Sequence, residues 1–263
     1  MEEKFDYLRK RFPHLAKLRY FVIGDGKTGT VTCWRSIMYG ASQGRSSIHA
    51  HGDHYLWQVR QPHLKEQGIG IAALVEFAHL ESQRKPLIIS SFREPISRTI
   101  SAFFENFAIF TNGMTEEEKR SPDVVCQRLL ENFQSEDYHV VDTPAHVGGL
   151  DCYASEFAKT RGWACYETEH ARVLLLKFEF MQSWPDAFKA TLMADEQTDF
   201  KWTPGYLSSD KGYFQLYQAV KAQFQPTREA LDKKFATHDR FLKHFYTEQE
   251  ITDLKAYWYS RCK

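Results

Sequence analysis

The chain has 263 residues, which at about 150 residues per domain corresponds to one large domain or two small ones. Hydrophobic residues make up 43% and charged residues 26% of the sequence, a balance that excludes a disordered or fibrous protein. The 34 basic and 34 acidic residues cancel, which argues against a general nucleic-acid or membrane-surface binder but still allows a locally basic cleft.

The cysteines and the N-terminal segment bear on the cellular compartment. Five widely spaced cysteines form no C-x-x-C pair, which excludes a zinc ribbon and disfavours a disulfide scaffold. The N-terminus, MEEKFDYLRKRF, lacks the apolar segment of a signal peptide. No stretch approaches the roughly 18 apolar residues of a membrane span. These features predict a cytoplasmic protein.

Short apolar runs alternate with helical patterns in the first part of the chain. Arg19–Ile23 is aromatic and β-branched and precedes Gly-Asp-Gly, which predicts a buried strand that enters a tight turn. A helix is predicted from Thr28 to about Tyr39, a short strand over Ser46–His51, and a helix from Gly70 to about Gln83.

The alternation continues through the middle of the chain. Pro86–Phe92 predicts a strand, followed by a helix from Pro95 to about Phe107 and a polar loop over Asn112–Pro122. Arg172–Phe178 predicts another strand, whose nearly continuous apolar residues are typical of a parallel sheet covered on both faces.

Helices predominate from Ser183 onward. The candidates are Lys211–Phe224 and Glu248–Arg261, and Thr247 with Glu250 forms a capping box before the second of them. The sequence therefore predicts one α/β domain over residues 1–263, with a parallel β-sheet flanked by helices and a helical C-terminal layer.

The loop after the first predicted strand has the composition of an anion-binding site. Its sequence is Gly24-Asp25-Gly26-Lys27-Thr28-Gly29-Thr30. Glycines let the backbone approach a ligand closely, and the N-terminus of the following helix attracts anions. The lysine and the threonine hydroxyls add further donors, so the loop suits a phosphate or a sulfate.

Two other interpretations of this loop are open, and a third is excluded. The excluded one is a Walker A motif, because Lys27 precedes Gly29 rather than following it. Gly24, Gly26 and Gly29 do match G-x-G-x-x-G, but the acidic ribose ligand expected about 20 residues later is missing. A dinucleotide site and an ordinary glycine turn remain the alternatives.

A second candidate anchor lies where the predicted strand Pro86–Phe92 gives way to a helix. Arg93 follows the strand, and Ser101 comes eight residues later, two helical turns into the helix, where its side chain can point back towards the strand end. Arginine offers a planar fork to phosphate oxygens, and serine adds a hydroxyl. The structural alternative for Arg93 is an ion pair with Glu94, and Arg98 is expected on the helix surface.

Together, the two motifs resemble those of sulfotransferases that use 3′-phosphoadenosine 5′-phosphosulfate (PAPS). The resemblance rests on K-T-G-T after the first strand and R-x-P-x-x-R-x-x-S after a later strand, and VLLLKFEFM resembles a further strand of that family. The resemblance implies a P-loop NTPase-like sulfotransferase fold. The residues that would bind the nucleotide are Gly26, Lys27, Thr28, Gly29, Thr30 and Val31 at the 5′-phosphosulfate, Arg93 and Ser101 at the 3′-phosphate, and Lys211 and Gly212 in a later loop.

The resemblance also implies the reaction. Sulfuryl transfer needs an aligned acceptor oxygen and positive charge near the leaving group, a role that Lys27 would fill without a metal. The segments REPISRTISAFFEN, HFYTEQEI and KAYWYS further resemble bacterial proteins assigned to capsular polysaccharide synthesis. This second resemblance adds little about the substrate. The expected acceptor is a hydroxyl, with a carbohydrate favoured, and no nucleic-acid partner is expected.

The histidines after the second predicted strand are candidates for the general base. Carbohydrate sulfotransferases carry a Glu-x-His arrangement there, and His49 stands where that Glu would be. His49 and His51 lie on the same side of an extended segment, and imidazole is suited to accept a proton near neutral pH. We favour His51. The alternative is a metal site formed by His49, His51, Asp53 and His54.

Two other function classes are compatible with these motifs. The first is a nucleotide kinase or another P-loop phosphotransferase. The second is a non-catalytic nucleotide- or glycan-binding protein of the same fold. Ligand preference and product formation distinguish these classes from a sulfotransferase.

Overall fold

The architecture is that of an α/β protein, as the sequence predicts. A computed structural model describes residues 1–24, 29–40, 47–50, 62–133, 146–192, 202–203 and 212–263. Within these ranges the chain forms a five-stranded, mostly parallel sheet flanked by helices.

The sheet has a strand order that differs from the order along the chain. Its strands are β1 (Tyr20–Ile23), β2 (Ser47–Ala50), β3 (Leu87–Phe92), β4 (Trp163–Glu167) and β5 (Arg172–Lys177). The spatial order is β2-β1-β3-β5-β4. Pairing is parallel between β1 and β2, between β1 and β3, and between β3 and β5. All residues of β1 and β3 are buried, as expected for strands covered on both faces.

One edge of the sheet departs from the predicted all-parallel arrangement. The sequence analysis did not identify β4, which pairs antiparallel with β5. A parallel connection needs a crossover of about a dozen residues or more. The four residues Thr168–Ala171 form a turn instead, in which the Thr168 amide donates to the Ala171 carbonyl at 2.9 Å. The short connection thus dictates the antiparallel pairing.

The five predicted helices are present, with ends that differ by a few residues, and the structure contains further helices that the sequence analysis did not specify. They are α1 (Glu2–Arg11), α2 (Thr30–Gly40), α3 (Pro62–Glu66), α4 (Ile71–Ser82), α5 (Pro95–Glu105), α6 (Phe107–Phe110), α7 (Pro122–Phe133), α8 (Trp184–Thr191), α9 (Phe214–Gln223), α10 (Arg228–Thr237), α11 (Asp239–Phe245) and α12 (Glu248–Tyr259). Short 3₁₀ segments cover Pro13–Lys17, Glu118–Arg120 and Phe178–Ser183. No helix within the described ranges is long and apolar enough to cross a membrane.

The predicted capping box at the start of α12 is confirmed. The Glu250 amide donates to Oγ1 of Thr247 at 3.2 Å, and the Thr247 amide donates to Oε2 of Glu250 at 2.7 Å. These two bonds satisfy amides that have no partner within the helix.

Contacts divide the chain into two compact units, each formed from two segments. The first comprises Met1–Phe92 and His139–Gly205 and contains the sheet, and the second comprises Arg93–Tyr138 and Tyr206–Lys263 and is helical. The core of the first unit packs α2 and α8 against the sheet through Val22, Cys33, Ile89, Leu174, Trp184 and Phe188. In the second unit, Phe224 contacts Phe133 and Trp258 with ring centroids 5.2 and 6.1 Å apart. The single domain stays a prediction.

Candidate active site

The strand order creates a favoured ligand position in the first unit. From β1 the chain proceeds to β2 on one side and then to β3 on the other side of β1. In open α/β sheets, such a reversal leaves a crevice outside the carboxyl ends of the two strands, where ligands bind. Gly24 follows β1 directly. The first predicted motif therefore begins where the topology favours a ligand.

Gly24 is required by close packing at this position. A Cβ atom on it would lie 2.7 Å from Cγ2 of Thr30, 3.5 Å from Oγ of Ser90 and 3.8 Å from the carbonyl oxygen of Ser91. A larger residue would displace Thr30, the first residue of α2. The end of β1, the start of α2 and the middle of β3 thus meet at Gly24.

Gly29 fixes the approach to α2 for two reasons. Its φ of +90° lies in the left-handed region that favours glycine, and a Cβ atom would lie only 2.6 Å from Cη2 of Trp184. Trp184 is fully buried, and its Nε1 donates to the carbonyl oxygen of Lys177 at 3.0 Å. A rigid indole therefore supports the backbone immediately before α2.

The start of α2 presents both a buried and an exposed side chain. Thr30 is 2% exposed and Val31 is 36% exposed. The amides in the first turn of a helix have no intrahelical acceptor and carry a partial positive charge. This end of α2 can attract an anion. Asp25, Gly26, Lys27 and Thr28 lie outside the described residues, so the predicted role of Lys27 stays a prediction.

Cys33, one turn into α2, is a structural residue. Burial raises the pKa of its thiol well above the usual range, and a hydrogen bond with the Ser91 hydroxyl offsets only part of this rise. The thiol is therefore protonated and unsuited to nucleophilic chemistry.

The second predicted motif is assembled in the helical unit. Nη1 of Arg93 donates to Oγ of Ser101 at 3.0 Å, so the two predicted phosphate ligands lie together. The hydroxyl of Tyr217 in α9 lies 3.4 Å from the same Oγ atom. The sequence analysis missed Tyr217, because no local pattern links it to a serine 116 residues earlier.

Glu94 and Pro95 hold the start of α5. The Glu94 carboxylate accepts hydrogen bonds from the amides of Ile96 at 2.8 Å and Ser97 at 2.6 Å. Proline is well suited to the first helical position, because its fixed φ is helical and it needs no acceptor. This cap sets the direction in which α5 carries Ser101 towards Arg93.

The prediction that Arg98 lies on the helix surface is wrong, because Arg98 is only 8% exposed. Most of the circumference of α5 is buried, including Thr99, Ile100 and Phe103. The less buried residues of α5 form a narrow stripe four residues apart, at Ser97, Ser101 and Glu105, and Arg98 lies outside it among the buried residues. The arginine stem can pack there as an apolar chain.

Of the candidate histidines for the general base, the structure describes only His49. His49 lies in β2 opposite Val22, and its ring stacks on Trp34 with centroids 5.8 Å apart. His51, Asp53 and His54 lie outside the described residues, so His51 stays the predicted base. Among the residues that the structure does describe, no group of three or more His, Cys, Asp or Glu side chains could hold a metal ion.

The segment predicted to bind the nucleotide through Lys211 and Gly212 is described only from Gly212 onward. Lys211 lies outside the described residues. A Cβ atom on Gly212 would meet nothing within 4 Å, so packing does not require glycine there. The hydroxyl of Tyr213 donates to Oε2 of Glu105 at 3.4 Å.

A cleft of about 260 Å³ in the second unit is separate from both motifs. It is lined by Asn112, Gly113, Met114, Val124, Gln127, Arg128 and Glu131. Arg128 pairs with Glu131 at 3.2 Å and donates to the carbonyl of Phe110 at 2.9 Å. The charged side chains that line the cleft are the paired Arg128 and Glu131, and no residue of the predicted site lines it.

No family model, curated protein or solved structure matches this chain. The chemistry of the site therefore follows from its residues. The first unit offers a glycine-bounded helix start, and the second offers a guanidinium bonded to a serine hydroxyl. Both arrangements suit anionic oxygens.

Proposed function

We propose that the protein is a PAPS-dependent sulfotransferase that transfers a sulfuryl group to a hydroxyl, with a carbohydrate as the acceptor. The observation that carries the proposal is the hydrogen bond between Nη1 of Arg93 and Oγ of Ser101. The motif R-x-P-x-x-R-x-x-S assigns these two residues to one 3′-phosphate, and the 3.0 Å separation lets them contact the same phosphate.

The sheet topology supports the P-loop-like identity of the fold. A buried strand ends at Ile23, α2 begins at Thr30, and the sequence between them contains Lys27. The reversal of strand order between β1 and β3 adds the crevice that such loops occupy. The 5′-phosphosulfate is the proposed ligand of this loop.

The proposed reaction is an in-line displacement at sulfur. The acceptor oxygen forms a bond to sulfur while the bond between sulfur and the 5′-phosphate oxygen breaks, and the product nucleotide, adenosine 3′,5′-bisphosphate (PAP), leaves with the negative charge. Lys27 stabilises the leaving oxygen, and the acceptor proton passes to His51. Alignment and charge stabilisation supply the rate enhancement, as in phosphoryl transfer.

Ligand preference tests the proposal. Calorimetric titration should show that PAP binds the wild-type protein. A thermal unfolding scan should show that PAP raises the unfolding temperature, because a ligand that binds only the native state stabilises it. Radiolabelled PAPS with a panel of oligosaccharides should give a sulfated product. Greater stabilisation by ATP with Mg²⁺ than by PAP would indicate a phosphotransferase. PAP binding without a product on any acceptor would indicate a non-catalytic binding protein.

Substitution of the predicted base should separate binding from turnover. We expect His51→Ala to retain the wild-type affinity for PAP and to lose about 10²- to 10⁴-fold in turnover, the contribution typical of a general base. The control is His14→Ala, which alters an exposed histidine outside both motifs. If His49→Ala has this effect and His51→Ala does not, the base is His49.

A further inference from the structure

Ser90 in β3 has a hydroxyl that the packing of the core does not explain. Ser90 is 1% exposed, and its Oγ atom has no hydrogen-bond partner within the part of the chain that the structure describes. Burial of an unpaired hydroxyl is unfavourable, and buried polar atoms nearly always have a partner. An alanine would fill this strand position without that cost, so the hydroxyl calls for a partner outside the core.

The position of this hydroxyl points to an anion. Oγ of Ser90 and Cγ2 of Thr30 both lie within 3.5 Å of the point where a Cβ atom of Gly24 would stand. Thr30 begins α2, an 11-residue helix whose first-turn amides attract negative charge. Gly24 bears no side chain, so no side-chain atom of its own occupies the point that lies beside both Ser90 and Thr30. The buried donor and the helix start are two independent features of one place.

The adjacent serine shows that the feature is specific to position 90. Ser91 is also fully buried, but its hydroxyl is hydrogen-bonded to the Cys33 thiol. Successive side chains of a strand point to opposite faces, so the two serines have different surroundings although they are neighbours. Ser91 is bonded to Cys33 of α2, whereas Oγ of Ser90 lies 3.5 Å from the point where a Cβ atom of Gly24 would stand.

We propose that Ser90 is an anion-binding residue that donates a hydrogen bond from Oγ to a phosphate or sulfate oxygen held at the start of α2. This inference rests on the proposed function for the name of the ligand, which is then the 5′-phosphosulfate of PAPS. It adds a donor from the sheet to the loop residues that the sequence motif assigns. Arg93 and Ser101, at the 3′-phosphate, are not part of this contact.

The test compares Ser90→Ala with its matched control, Ser91→Ala. We expect Ser90→Ala to weaken binding of PAP and of adenosine 5′-monophosphate by about tenfold or more, the loss typical of one hydrogen bond to a charged group. Its affinity for adenosine 3′-monophosphate should stay that of the wild type. Its unfolding temperature should stay equal or rise, since an unsatisfied hydroxyl is removed. Ser91→Ala should lower the unfolding temperature and leave PAP affinity unchanged.

The outcomes separate this inference from the proposed function. If the wild type binds PAP and Ser90→Ala binds it equally well, the role of Ser90 is overturned and the sulfotransferase proposal stands. A fall in unfolding temperature as large as that of Ser91→Ala would show a structural role and would also overturn the inference. If the wild type binds inorganic pyrophosphate but not PAP, and Ser90→Ala weakens that binding, Ser90 is supported and the proposed function fails. Binding of neither probe overturns both.

Discussion

Arg93→Ala is expected to weaken the binding of PAP by about 100-fold, or about 2.7 kcal/mol. The substitution removes the guanidinium, whose charged hydrogen bonds to a phosphate are each worth about 1.5–3 kcal/mol. It also removes the donor that now holds Oγ of Ser101 at 3.0 Å. Calorimetric titration of PAP into the folded variant measures the loss.

Three further variants define the contribution of the arginine fork. Arg93→Lys keeps the charge but loses the planar geometry, so an intermediate loss is expected. Ser101→Ala should lose about tenfold, because one hydrogen bond is removed. Arg84→Ala deletes an exposed arginine outside both motifs and should bind PAP as the wild type does. Unchanged PAP affinity in a folded Arg93→Ala protein would contradict the phosphate role.

Gly29→Ala is expected to lower the free energy of unfolding by about 3 kcal/mol. A left-handed backbone costs an L-residue about 1–2 kcal/mol. The new methyl group would also lie 2.6 Å from the ring of Trp184, and overpacking of a buried site typically costs about 1–3 kcal/mol. Urea denaturation of the two proteins measures the difference.

Gly113→Ala separates these two contributions. Gly113 has a φ of +87°, close to that of Gly29, but a Cβ atom on it would meet nothing within 4 Å. This control should therefore lose only the backbone contribution, about 1–2 kcal/mol. Equal losses at the two glycines would show that Trp184 gives way without cost, and the support of α2 by this indole would then be rejected.

The sequence predicted those features that depend on neighbouring residues. The apolar runs predicted β1, β3 and β5 because burial on both faces leaves a continuous hydrophobic signal. The capping box at Thr247 was predictable because its two hydrogen bonds span three residues. The proximity of Arg93 and Ser101 was predictable because helical geometry fixes their spacing.

Features that depend on distant parts of the chain were not predictable in this way. The contact of Tyr217 with Ser101 and the support of Gly29 by Trp184 arise from tertiary packing. The burial of Arg98 reflects tertiary packing around most of α5, which a local pattern does not show. The unsatisfied hydroxyl of Ser90 became visible only when its neighbours were known, since an adjacent serine has the same sequence context.

The pairing of β3 with β5 affects how a newly made chain folds. β3 is entirely buried and pairs with β5 at all six of its positions, yet the first residue of β5, Arg172, is synthesised about 80 residues after Phe92. At a translation rate of about 5–20 residues per second, this interval lasts several seconds. During that time the nascent polypeptide contains β3, and the edge of β3 that pairs with β5 in the native sheet has no native partner. Such edges promote aggregation, so chaperone protection on the ribosome should matter most before Lys177 emerges.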